Sequence, residues 1–161
     1  MDSKDITFRL GRLADADRIA LISRDLIETG LGWSWTPARV ARNIRCKDTV
    51  TLIASNRKRM IAFAIMYFGQ QEAHLNLLGV RSEYQRQGIG YRLMEWLEKS
   101  ALVAGIATLS LEVRTFNHGA RHFYRRLGFR EIAHLPGYYS GLESAIRMIR
   151  ELRKPVSGPA P

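Results

Sequence analysis

The chain has 161 residues, 46% hydrophobic and 25% charged, a balance that supports a buried core and excludes a chain disordered throughout. Basic residues outnumber acidic ones 25 to 15, giving a formal charge of +10, and twenty of the 25 are arginines scattered through every predicted element. The single cysteine, Cys46, excludes an intramolecular disulfide, and no Cys/His cluster has zinc-ligand spacing, which fits a reducing, cytoplasmic setting.

The first residues carry no apolar signal segment, and the longest apolar run, 60–68, is far shorter than the ~20 residues of a membrane span, so neither export nor membrane insertion is expected. Residues 1–152 are expected to form one domain, and 153–161, rich in proline and small residues, a flexible tail.

Ile6–Leu10 alternates as a short strand, and the spacing of Ile19, Ile22, Leu26 and Ile27 predicts a helix over 15–28. A loop with Trp33 and Trp35 follows, then Thr36 as N-cap, Pro37 as first helical residue and a helix over 38–46. Residues 49–54 and 60–68 flank a polar turn, a hairpin signal, and 73–81 supply the third strand of an antiparallel meander. Beyond Gly88 and Gly90, the residues Ile89, Leu93, Trp96, Leu97 and Ala101 set the apolar face of a long helix that ends near Gly105. Residues 108–114 alternate, with Leu109, Leu111 and Val113 opposite Ser110, Glu112 and Arg114. A helix over 117–127 closes on Gly128, and strands over 129–134 and 143–152 follow. The order β-α-α-β-β-β-α-β-α-β-β predicts a mixed α/β fold, a mostly antiparallel central sheet flanked by helices.

Strand, glycine turn and helix are contiguous around Gln85-Arg86-Gln87-Gly88-Ile89-Gly90. Glycines let the backbone approach a ligand closely, and free N–H groups at a helix start favour an anion such as pyrophosphate. A dinucleotide fingerprint would need glycine where Leu93 stands, and the lysine of a P-loop is absent.

This segment resembles the signature Q/R-x-x-G-x-G/A of the GNAT superfamily of acetyltransferases. The resemblance implies acetyl-CoA as cofactor, its pyrophosphate held by the N–H groups of Gln87, Gly88, Ile89 and Gly90 within the Gln85, Arg86 turn. It also implies that the backbone of Leu78 and Val80 pairs with pantetheine and polarises the thioester carbonyl. Downstream, Leu111-Glu112-Val113-Arg114, Asn117, Tyr124 and Leu127-Gly128-Phe129 resemble the ribosomal-protein-alanine N-acetyltransferase branch.

Acetylating an amine requires removal of a proton from an ammonium of pKa ~10, a stabilised oxyanion and a proton for the departing thiolate. The resemblance implies Glu112 as the base, Tyr124 as the acid and Asn117 as a pantetheine contact. From pattern alone Glu112 is equally a solvated strand residue, Tyr124 a core tyrosine and Asn117 an N-cap. His74, with Asn76 nearby on the preceding strand, is the alternative base.

Trp33, Tyr138 and Tyr139 fall where the superfamily builds its acceptor groove, which suits a protein or peptide N-terminal α-amine. A small-molecule amine is the enzymatic alternative, and a non-catalytic acyl-CoA-binding module or a nucleic-acid binder the others. No nucleic-acid motif accompanies the basic surplus.

Overall fold

The computed structural model describes residues 5–152; the tail expected at 153–161 lies outside them. The described residues hold seven strands and four α-helices, in chain order β1 (Ile6–Leu10), α1 (Ala16–Leu26), α2 (Pro37–Arg45), β2 (Thr49–Asn56), β3 (Arg59–Phe68), β4 (Glu72–Val80), α3 (Ile89–Val103), β5 (Thr108–Arg114), α4 (His118–Arg126), β6 (Arg130–Tyr139) and β7 (Glu143–Glu151). They form one sheet in the order β1-β2-β3-β4-β5-β7-β6, in which only β4 and β5 run parallel. Among the described residues no helix is long and apolar enough to cross a membrane.

Apolar side chains cover both faces of the sheet. Ile19 and Ala20 of α1 and Val40 of α2 pack on Ile53, Phe63, Ile65 and Leu77, while Leu93 and Leu97 of α3 and Tyr124 of α4 pack on Leu52, Leu111 and Met148. The central strand β3 therefore reads as a continuous apolar run rather than an alternating one. Phe63 is fully buried and its ring edge lies 3.1 Å from where a Cβ on Gly79 would stand. Phe63→Ala should lower unfolding free energy by about 3–5 kcal/mol in chemical denaturation.

The meander carries a bulge that matters for the site. Ile65 pairs with Leu77 but Met66 pairs with Leu75, so Asn76 is the extra residue on β4. The facing of the strand changes there: Ala73 and Leu75 join the α3 layer, whereas Leu77 joins the layer under α1 and α2.

Three local expectations are corrected. Trp96 is 38% exposed and Met94 takes the buried place, since Met94 falls in line with Leu97 and Ala101 at i, i+3 and i+7. Helix α1 stops at Leu26, because Glu28 turns inward: its carboxylate accepts bonds from the Ser34 and Trp35 N–H groups and from the Ser34 hydroxyl. Strand β6 continues to Tyr139 through Pro136, which is tolerated at this sheet edge where pairing with β7 is interrupted between Leu135 and Tyr139.

Candidate active site

Strands β4 and β5 pair only at their beginnings, Glu72 to His74 against Thr108 to Ser110. Beyond that they part, and each is then held by its outer neighbour alone, β4 by β3 and β5 by β7. The N–H of Arg81 bonds to Ile61 O on the β3 side, so strand alternation sends the backbone groups of Val80 and Leu78 the other way, into the opening. The Val80 carbonyl there accepts from Gln85 Nε2 at 2.9 Å.

At the end of this opening the chain turns sharply into α3. Arg86 and Gly88 both have positive φ, 61° and 80°. Among the described residues no acceptor bonds the backbone N–H groups from Arg86 to Tyr91; the first helical bond is Arg92 N–H to Gly88 O. A Cβ on Gly88 would meet nothing within 4 Å, so the space beside it is open, whereas a Cβ on Gly90 would come within 3.2 Å of Phe123. The two glycines thus differ in duty, Gly88 for backbone conformation and access, Gly90 for close packing of α3 against α4. Gly88→Val should weaken acetyl-CoA binding by at least about tenfold in calorimetry, because a β-branched residue disfavours this φ; unaltered affinity would dissociate the turn from binding.

On the α1 and α2 side of the opening, the two alternative bases are bonded to each other. His74 Nε2 contacts Glu112 Oε2, and His74 Nδ1 lies 2.6 Å from Asn76 Oδ1. The other Glu112 oxygen accepts from Arg147 at 3.0 Å, Arg147 being the cross-strand partner of Glu112 on β7. The Glu112 side chain is only 8% exposed. Burial, the largest single influence, opposes its charge, but the bonds and charges of His74 and Arg147 outweigh burial and hold the carboxyl below the usual range. Burial likewise opposes a charged His74, yet Glu112, Asn76 and the charge of Glu72 raise its pKa above 6.5. Sequence reasoning set Glu112 against His74 as rivals and missed Arg147; the pairing comes from β5–β7 register, which spacing along the chain does not reveal.

Tyr124 projects from α4 with its ring edge-to-face against Phe123 and Phe129, at centroid distances of 5.1 and 5.6 Å. No described residue hydrogen-bonds its hydroxyl, and burial, then the nearby Tyr139, pushes its pKa far up. Tyr138 and Tyr139 meet edge-to-face at 4.9 Å at the end of β6. Burial, first, and the Glu112 charge raise the pKa of both. Asn117 caps α4, its Oδ1 accepting from Ala120 N–H at 3.1 Å, so the capping duty is met whatever else its amide does.

Trp33 donates its indole N–H to Ala20 O and lies under the Arg24 guanidinium, so its contacts are with α1. Its loop is tied to the rest of the site by Arg114, which bonds Ile27 O and pairs with Glu143 at the start of β7.

Residues 21–129, which include the glycine turn, His74, Glu112 and Tyr124, match the acetyltransferase (GNAT) family. The chain belongs to that family. Among its GNAT relatives, the [ribosomal protein bS18]-alanine N-acetyltransferase of Escherichia coli strain K12 is 43% identical over 93 residues, 56% of this chain and 63% of the relative, so the match spans less than two thirds of that protein. The enzyme of the same name from Haemophilus ducreyi is 33% identical over 105 residues, 65% of this chain and 72% of that one. The crystal structure of the ribosomal-protein-S18-alanine N-acetyltransferase from Escherichia coli superposes with a TM-score of 0.82 at 29% identity, over 96% of this chain and 99% of that one. The GNAT arrangement thus accounts for the whole described sheet, including β6 and β7 beyond the family match.

Proposed function

We propose that this chain is a cytoplasmic, single-domain acetyl-CoA-dependent N-acetyltransferase whose acceptor is a protein or peptide N-terminal α-amine. The observation that carries the reading is the opening between β4 and β5, with an unpaired-amide turn at its end, a buried His74–Glu112 pair on one face of the sheet and Tyr124 in the core of the other.

The residues fit the cofactor. Free N–H groups from Gln87 to Gly90, the open space at Gly88 and the start of α3 suit a diphosphate, and Gln85 and Arg86 shape the turn. The backbone groups of Leu78 and Val80 on the side of the opening, where the Val80 carbonyl so far accepts only from the Gln85 side chain, suit an amide-bearing arm, with the amide of Asn117 at the start of α4 as a further contact. When bound, acetyl-CoA supplies an activated acyl carbon and a thiolate leaving group.

The chain's own groups then divide the proton work. The His74–Glu112 pair takes a proton from the incoming ammonium, directly or through water, since an amine of pKa ~10 is charged near neutral pH. The pair has a vacancy for that proton once His74 is neutral, and Arg147 keeps the Glu112 carboxylate facing His74. Tyr124 retains its own proton throughout the neutral range and so always has one to give from its hydroxyl. Tyr138 and Tyr139, with the Trp33 loop, flank the acceptor and favour a peptide over a small polar amine.

The names of the relatives support an α-amine acceptor. The reading is tested by thiol release from acetyl-CoA across short peptides with different first residues and a panel of small amines. Release with peptides is expected. Release with small amines alone would replace the acceptor, and tight acetyl-CoA binding without release would mean a non-catalytic module.

A further inference from the structure

The twenty arginines are scattered along the sequence, but the fold treats them unequally. Nine of them pair with carboxylates among the described residues. Helix α2 is different. It carries Arg39, Arg42 and Arg45 and no acidic residue, and none of the three has a carboxylate partner among the described residues. At i, i+3 and i+6 they follow one side of the helix, each step turned by about 60° from the last.

Arg39 is also held in place. Its guanidinium lies 3.9 Å over the ring of Trp35, which is 8% exposed and anchored through its N–H to the Glu28 carboxylate. Stacking fixes the plane of the guanidinium and leaves its N–H edges for a planar, bidentate partner. The loop that holds this stack is tied to the site by contacts: Glu28 follows Ile27, whose carbonyl accepts from Arg114 of β5, and Arg114 pairs with Glu143, the β7 partner of Tyr139, so the Arg39–Trp35 unit is joined to the strand of Glu112 and to the Tyr138–Tyr139 end of β6. Arg147 is committed to Glu112. Arg39 has no carboxylate partner among the described residues.

We propose that Arg39, stacked on Trp35, receives an acidic side chain of the acceptor, so that the enzyme prefers N-termini carrying Asp or Glu within the first few residues. This rests on the N-terminal α-amine reading above. A carboxylate on the free fork gains charge-assisted bonds, whereas a lysine or arginine there meets a like charge. Arg42 and Arg45, both exposed, extend the positive field and steer acidic chains toward the opening. A peptide suits these observations better than RNA, because the oriented fork is joined through Trp35 and its loop to the strand that carries Glu112, and no aromatic side chain on α2 offers a stacking platform for bases.

The test compares kcat/KM for four peptides that begin with alanine, share one remainder and carry Asp, Glu, Ser or Lys at the second or third residue. Acidic peptides are expected to exceed the serine peptide by about tenfold, with lysine the slowest, and added salt should compress the range. Arg39→Glu should invert the order so that lysine exceeds aspartate, a result that misfolding cannot imitate because a misfolded variant loses every peptide alike. Equal rates across the wild-type series, or an order unchanged by Arg39→Glu, would overturn the proposal while leaving N-terminal acetylation standing. No acetylation of any peptide beside brisk acetylation of small amines would remove the acceptor reading and this inference together. Salt-sensitive RNA binding, abolished by Arg42→Glu with Arg45→Glu, alongside peptide rates indifferent to charge, would assign the helix to nucleic acid instead.

Discussion

Tyr124→Phe is expected to keep acetyl-CoA affinity within about twofold while lowering turnover by about a hundredfold or more, the scale of a lost general acid. The substitution is clean for a structural reason. The ring is wedged edge-to-face between Phe123 and Phe129, contacts that phenylalanine reproduces, and no described residue loses a hydrogen bond when the hydroxyl goes. Stability should therefore hold, because phenylalanine keeps the ring packing and the hydroxyl is not one of the buried polar atoms left without a partner among the described residues. Calorimetry for affinity, stopped assays for turnover and a melting curve separate the effects. Turnover equal to wild type would reduce Tyr124 to a core residue, which its place in the α4 stripe already explains. Lost affinity with preserved turnover would instead place the hydroxyl on the cofactor as a binding group.

The element order was legible, since the helices and most strands carry a periodicity, β3 stands out as an unbroken apolar run, and the turn residues Gly88, Gly105 and Gly128 stand at positive φ where the pattern breaks. Boundaries slipped where a tertiary contact overrides local pattern. Residue 28 reads as helix, but its carboxylate is drawn to Ser34 and Trp35. Tyr138 and Tyr139 read as a loop, but β6 runs on through them as an irregular edge strand, with Tyr139 paired to Glu143 of β7. The candidate site was legible as a set of residues and not in the contacts between them. Glu112 and His74 stand 38 residues apart in sequence and become partners because β4 and β5 are parallel neighbours over three residue pairs. Arg147 is 35 residues further on and enters only through antiparallel register with β5. Nothing in local spacing encodes either pairing. The role proposed for Arg39 is hidden for the same reason: an arginine without a carboxylate partner among the described residues is recognisable only once the carboxylates of the other arginines have been found.

Glu112→Gln is expected to lower maximal turnover by about a hundredfold or more and, at the same time, to move the acid limb of the pH–rate profile to lower pH. The direction follows from the linked charges. In the wild type, His74 holds its proton to a pH above 6.5 despite burial, since Glu112 and Asn76 outweigh it. Below that value the pair is already loaded and cannot accept the proton of the amine, so the rate rises as pH increases through it. Glutamine keeps the shape and still offers an oxygen to Arg147, but it removes both the charge and the charge-assisted bond that raise His74. Burial is then less opposed and the His74 pKa falls. The limb belongs to the pair, so its displacement reports the coupling itself rather than one residue. Arg147, 41% exposed, can hydrate when its partner is neutralised, which protects the fold from the full cost of an uncompensated charge. His74→Gln supplies the complement: the limb should drop into the carboxylate range, because Glu112 remains beside Arg147 as the only group of the pair that titrates. A turnover loss in Glu112→Gln with an unmoved limb would confine Glu112 to holding the strands. Full turnover with an unmoved limb would exclude the pair from proton transfer altogether.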